Sequence, residues 1–263
     1  DPARILVSSI KSTFTANGFP NLELSFNAKV NDVLHSDVQK ALRRGRVTID
    51  LKNFHRAKLV SEGKKIPVRI RLKGDNTDHV DTKKVSFRIR MPSHKRFRGM
   101  SEFSISHPKT RFYANEWLFV ETIRHEGLLT PRLDFVNVRI NGDDRGLYNL
   151  EEHYTKEMME SQHRAESVIF YLSSILRDWH KSAFSLTDPD AGLAGGWNFD
   201  TVLDLLETRD VEVFKQARVS HSATLAKLRE FGIEQLNAFL GGTVSAKAVF
   251  DIDLTGKALA LIE

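Results

Sequence analysis

Cysteine is absent from all 263 residues of the chain. Disulfides, thiolate metal sites and cysteine nucleophiles are excluded together. The compartment is not fixed by this, because disulfide-free proteins occur both in the cytosol and in bacterial envelopes. No apolar run approaches the roughly 20 residues that a membrane-spanning helix needs. No basic-then-apolar leader opens the sequence, which begins at Asp1. A Gly-x-Ser-x-Gly elbow is missing, so hydrolase chemistry of that kind has no support. His153, His163 and His180 are dispersed, without the i, i+4 pairing that makes a metal site. Negative charge is the scarcer sign: 34 Asp and Glu against 39 Lys and Arg leave a net charge of +5.

The basic excess gathers between Arg43 and Arg98, in Arg43-Arg44-Gly45-Arg46, Lys64-Lys65 and Lys95-Arg96-Phe97-Arg98. Such a surface concentrates polyanions, whether nucleotide, nucleic acid, acidic peptide or anionic lipid. The plain alternative is a solvated basic face. Aromatic stacking platforms and recognised nucleic-acid motifs do not accompany the charge, so nucleic acid is not the expected partner.

Patterning divides the chain into strands first and helices afterwards. Leu22–Phe26, Val68–Lys73 and Ser86–Met91 alternate apolar with polar residues, as half-wet strands do. A helix capped by Asn31 or Ser36 is predicted to carry Val33, Leu34, Val38 and Leu42. Glu102–Ser106 is a further short strand. Between Phe112 and His125, Glu116, Phe119, Val120 and Ile123 fall on one helical face. Phe135–Ile140 and Gly146–Leu150 flank Asn141-Gly142-Asp143-Asp144, a hairpin signal. Beyond Glu152, helices are predicted near Thr155–Arg164, Val168–Trp179, Phe199–Glu207, Val211–Phe231 and Ile233–Leu240. The fold class is α+β, an antiparallel sheet lobe followed by a helical lobe. Segment 1–46 is expected to pack on a sheet lobe of residues 47–152, with 153–263 as the helical lobe.

The segment from Val68 to Tyr154 carries Lys73-Gly74-Asp75, Lys84-Val85-Ser86-Phe87-Arg88, a helix over Tyr113–His125, Asn141-Gly142, and Gly146 through Glu152. In that order these motifs resemble the spore coat protein H (CotH) kinase family. Val249-Phe250-Asp251-Ile252-Asp253 adds a fainter echo of a family helix start. The resemblance implies an atypical, two-lobed protein-kinase-like fold. It also implies ATP with Mg2+, a protein substrate phosphorylated on serine or threonine, and a bacterial cell-envelope setting, periplasmic or surface-exposed.

Phosphoryl transfer requires neutralised phosphates, so a strand lysine oriented by a helix carboxylate is expected. Lys84 matches the family lysine and Glu116 is the carboxylate proposed for it, with Glu121 as competitor. Arg71, Lys73 and Gly74 are placed at the phosphates, and Glu151 and Glu152 at the lobe crossing, where Glu152 matches the family glutamate. Each has a plain counterpart: a solvent-facing strand lysine, a hairpin loop, and a carboxylate at a helix N-terminus. No metal-ligating residue is identified, because the family's catalytic and metal-binding aspartates follow a helix inside which this sequence stops. The expectation is a fragment of a longer kinase, inactive alone. The alternative is a non-catalytic envelope scaffold, or pseudokinase, that binds an acidic partner.

Overall fold

A computed structural model describes residues 18–61, 63–80, 83–172 and 211–260. The chain separates into two units, Asp1–Ala165 with Lys257–Glu263, and Glu166–Gly256. The first is built on seven strands: β1 (Asn21–Ser25), β2 (His55–Ser61), β3 (Lys64–Leu72), β4 (Phe87–Arg90), β5 (Glu102–Ser106), β6 (Leu133–Ile140) and β7 (Asp143–Glu152). They close into a barrel in the order β1-β2-β3-β4-β5-β7-β6. Every pairing is antiparallel except the one that closes it, where β1 runs parallel to β6 from Asn21↔Asn137 to Leu24↔Ile140.

Period-2 alternation sets the faces. Val68, Ile70 and Leu72 of β3 point into the barrel, as do Phe87 and Ile89 of β4, Phe103 and Ile105 of β5, and Tyr148 and Leu150 of β7. Arg69, Arg71, Arg88 and Arg90 are thereby turned outward. α1 (Ala28–Arg44) lays Leu34 and Ala41 on this core. Its cap is Asn27, whose side chain accepts the Val30 N–H at 2.9 Å, so the helix begins earlier than Asn31 or Ser36 would start it. Segment 1–46 thus supplies both a barrel strand and the helix beside it.

α2 (Asn115–His125) packs through Trp117, which is buried against Leu133 and Phe135 of β6 with Val120 beside it. The apolar face is rotated from the predicted stripe, and Phe119 is exposed. The indole offers the largest apolar surface on the helix and claims the contact. The β6–β7 hairpin turns at Asn141, which takes φ 52° and accepts the Phe26 N–H through Oδ1 at 2.8 Å. α3 (Lys156–Ser161) follows, capped by Thr155.

The second unit departs from the helices predicted for it. Phe170–Leu172 forms a strand, β8, where a helix from Val168 was expected, because it finds an antiparallel partner in β9 (Val211–Val213). After α4 (Gln216–Ser220), a single helix α5 (Ala223–Leu240) runs through the break expected at Gly232. A Cβ on Gly232 would stand 2.3 Å from the Phe170 ring, so glycine there lets the helix lie against that side chain. α6 (Ala246–Val249) and α7 (Ile252–Ala260) complete the described residues. The predicted Phe199–Glu207 helix lies outside them. No helix among the described residues is long and apolar enough to cross a membrane.

Candidate functional site

Because β3, β4, β5 and β7 are neighbours in register, their outward residues form rows. One row runs Arg71, Arg88, Ser104, Glu151, with Ser106 opposite Asn149 beside it. Lys73 follows the end of β3, and Arg111 comes from the 3-10 turn Pro108–Arg111 that precedes α2. An outward row of this kind would normally be wet. Here Ser104, Ser106 and Asn149 are fully buried.

Charge is organised around Glu151. Lys73 Nζ lies 2.5 Å from Glu151 Oε2, and Arg111 Nη2 lies 2.8 Å from the same oxygen. Arg111 Nε reaches Glu116 Oε2 at 3.4 Å. Lys73, Glu151, Arg111 and Glu116 therefore form a chain of alternating sign from the end of β3 to the first turn of α2. Burial alone would raise the Glu151 pKa, but Lys73 and Arg111 outweigh it and hold that carboxyl at about 2. Burial raises the pKa of Glu116, against the pull of Arg111, and the Glu151 charge adds to the rise. Burial lowers the ammonium pKa of Lys73, against the attraction of Glu151. Two carboxylates sharing one guanidinium are thus driven apart in acidity, a pattern found where acid–base or ligand chemistry is organised.

Gly74 follows Lys73 at φ +91°, and a Cβ built there would stand 2.0 Å from His79 Cδ2. Any other residue would meet both the backbone conformation and that ring. His79 Nδ1 lies 3.0 Å from Ser86 Oγ, and the Lys73 N–H donates to the Ser86 carbonyl at 3.0 Å. The turn that presents Lys73 is therefore held by both backbone and side chain.

A second group, Ser104, His153, Arg88 and Glu102, resembles a serine–histidine pair in distance alone. Ser104 Oγ is 2.7 Å from His153 Nε2, and Arg88 Nη2 is 2.9 Å from Nδ1. A guanidinium can only donate, so Nδ1 accepts and the neutral ring carries its proton on Nε2. Burial and Arg88 push the imidazole down to about 3, which keeps it neutral. His153 then donates to Ser104 and cannot take its proton. The group is a fixed scaffold that also neutralises buried Glu102 through Arg88 Nε at 2.5 Å. Arg71 and Arg90 stand over the Phe54 ring at 5.4 and 4.3 Å.

The remaining sequence-predicted residues fall in other surroundings. Lys84 lies in the turn before β4, not within the strand. Its Nζ donates to the Leu147 carbonyl at 2.8 Å and stands 5.5 Å from the Tyr148 ring centroid. Glu116 has its contact with Arg111 instead. Glu121 pairs with Arg124 on its own helix. Glu152 is fully buried and receives a two-pronged bond from Arg132, with Nη2 to Oε1 and Nε to Oε2 both at 2.8 Å. That geometry braces β7 against the segment before β6. Arg111 is the residue that the sequence does not single out, and Glu151 is expected only beside Glu152 at the lobe crossing. Alternation along β7 places Glu151 outward beside Ser104, whereas nothing local identifies Arg111.

Among the described residues, no group of three His, Cys, Asp or Glu side chains could hold a metal ion. The Asn149 side-chain amide and the Ser106 hydroxyl have no hydrogen-bond partner among those residues, though both are buried.

Comparison with known proteins places this site inside a recognised segment. The family model described as CotH kinase protein matches residues 70–195, which include Arg71, Lys73, Gly74, Lys84, Arg111, Glu116, Glu151 and Glu152. No curated protein matches the chain.

Proposed function

We propose that this chain, which carries the CotH kinase family segment over residues 70–195, is the nucleotide-gripping part of an ATP-dependent protein kinase acting on serine or threonine. The observation that carries the reading is the chain Lys73–Glu151–Arg111–Glu116 on the polar face of the barrel. A kinase uses a strand-borne lysine, held by a carboxylate on the following helix, to neutralise phosphate charge. Lys73 directly follows β3 and Glu116 heads α2, joined here through Arg111 and Glu151. Phosphate oxygens arriving at Lys73 and Arg111 would compete with Glu151 for the same N–H donors, and would bind through charge-assisted bonds. Gly74 leaves the adjoining backbone without a side chain. A two-lobed kinase-like arrangement and an envelope location belong to the same proposal.

The two components implied with this activity fit unequally. The cations suit ATP phosphates. The described residues offer no cluster of three His, Cys, Asp or Glu side chains for magnesium. Magnesium, when bound in a kinase, screens the charge of the β- and γ-phosphates.

Lys84 carries the same role by resemblance, so the test separates the two lysines. A fluorescent ATP analogue is titrated into the wild-type chain, Lys73→Met and Lys84→Met. Loss of one charge-assisted phosphate contact weakens binding by about tenfold or more. The expected outcome is that loss in Lys73→Met with Lys84→Met near wild type. The reverse would move the role to Lys84, and wild-type affinity in both would remove the nucleotide reading of this face.

A further inference from the structure

Around Arg90 the barrel carries a groove whose lining shares no residue with the Glu151 cluster. It has a volume of about 740 Å³ and opens where β1 and β4 leave the sheet while β2 and β3 continue. That is within the roughly 300–1,000 Å³ range of ligand-binding clefts. Arg56, Lys58, Arg69 and Arg90 line it, Phe26 and Met91 contribute apolar wall, and none of its twelve lining residues is acidic. Arg56, Arg69 and Arg90 are direct cross-strand partners on β2, β3 and β4, so three guanidinium-bearing residues stand in one row. Like charges opposite each other across a sheet cost roughly 0.2–1 kcal/mol per pair. Among the described residues neither Arg56 nor Arg69 pairs with a carboxylate, and Arg90 shares Glu102, at 3.5 Å, with Arg88, which holds the same oxygen at 2.5 Å. Elsewhere on this unit, cations do find carboxylates, as in Arg44–Asp50, Arg98–Asp134 and Arg145–Asp143.

We propose that this groove docks an extended acidic peptide segment of a protein partner, its carboxylates on the Arg56–Arg69–Arg90 row and an apolar side chain against Phe26 and Met91. Three strands about 4.8 Å apart make a row about 10 Å long, which about three extended residues span. The wall chemistry favours peptide over nucleic acid. Single-stranded nucleic acid takes its sequence-tolerant affinity from aromatic faces on which bases stack. Phe26, the aromatic among the twelve lining residues, is tilted onto Phe87 at 6.4 Å, and the Phe54 ring beneath Arg90 is covered by Arg71 and Arg90. The inference rests on the groove alone and stands apart from the kinase reading.

The test uses fluorescence anisotropy of a labelled eight-residue peptide alternating glutamate with leucine. Its controls are the same peptide with glutamine for glutamate and an oligothymidylate of equal charge. The wild-type chain should bind the acidic peptide, with affinity falling as salt rises, and should leave the glutamine peptide unbound. Arg56→Glu with Arg69→Glu should weaken binding by about tenfold or more, while Arg56→Lys with Arg69→Lys keeps most of it. Arg56→Gln with Lys58→Gln gives a milder variant should charge reversal disturb folding, and it too must weaken binding. The fluorescent ATP analogue should bind the groove variants as it binds wild type, which separates failure here from failure of the nucleotide site. Undiminished peptide binding in both loss-of-charge variants, equal binding of the glutamine peptide, or tighter binding of oligothymidylate would each overturn the proposal.

Discussion

Two outward faces of one barrel use the same residue types to opposite ends. Around Glu151, each named cation lies against a carboxylate, and the ladder of charge from Lys73 to Glu116 is largely withdrawn from solvent. Along Arg56, Arg69 and Arg90, three arginines face one another in the open with a fraction of one carboxylate between them. Alternation in β3 creates both, since Arg69 and Arg71 are two residues apart on the same strand. What separates them is the neighbouring chain: β7 and α2 bring Glu151 and Glu116 to one face, while β1 and β4 end at Ser25 and Arg90 and bring no acid to the other. A basic strand is therefore not informative until its cross-strand partners are known.

The largest loss is expected at the buried end of the paired face. Arg132→Ala leaves the Glu152 carboxylate fully buried without its fork, and should cost about 3 kcal/mol of unfolding free energy by urea titration. An unchanged midpoint would mean that β7 does not depend on this brace. Glu151→Gln comes next, at about 2 kcal/mol, since Lys73 and Arg111 then face each other without the charge that joins them. Its pH signature has a definite sign. The folded pKa of Glu151, about 2, lies below the ordinary value of 4.5, so its ionised form stabilises the fold above pH 4.5 and that contribution is lost as pH falls toward 2. Stability of the wild type should fall more steeply between pH 4.5 and 2 than that of Glu151→Gln, and parallel curves would contradict the pairing.

Gly74→Ala should cost about 1–3 kcal/mol through the backbone at φ +91° and the His79 ring. Thermal melts will register this, and no shift would mean that the turn rearranges freely. Smallest is the open face, where Arg56→Gln with Lys58→Gln should change stability by about 0.5 kcal/mol or less. A gain would fit relief of the like-charge row, and a large loss would place these cations in the paired class.

Much of the barrel was legible because its strands advertise themselves locally. Val68–Leu72, Phe87–Arg90 and the Asn141 hairpin follow from alternation and turn chemistry. Closure was not legible, because β1 meets β6 in parallel across more than a hundred residues, and parallel pairing leaves no turn signature between its partners. The site follows the same division. Lys73 and Glu116 could be singled out from strand end and helix start, yet the groups joining them could not. Glu151 differs from Glu152 only in which side of β7 it occupies, and Arg111 reaches the cluster from a short turn after Pro108. Lys84 stood out by motif, but its surroundings, the Leu147 carbonyl and the Tyr148 ring, are tertiary facts.

On the proposed reading Lys73, braced by Glu151, meets the phosphates of ATP. Titration of the fluorescent ATP analogue into wild type, Lys73→Met and Glu151→Gln tests it most directly, with folding of each verified by circular dichroism. Lys73→Met should lose about tenfold or more in affinity, while Glu151→Gln, freeing Lys73 and Arg111 from their internal competitor, should bind at least as tightly as wild type. Wild-type affinity in folded Lys73→Met would contradict it.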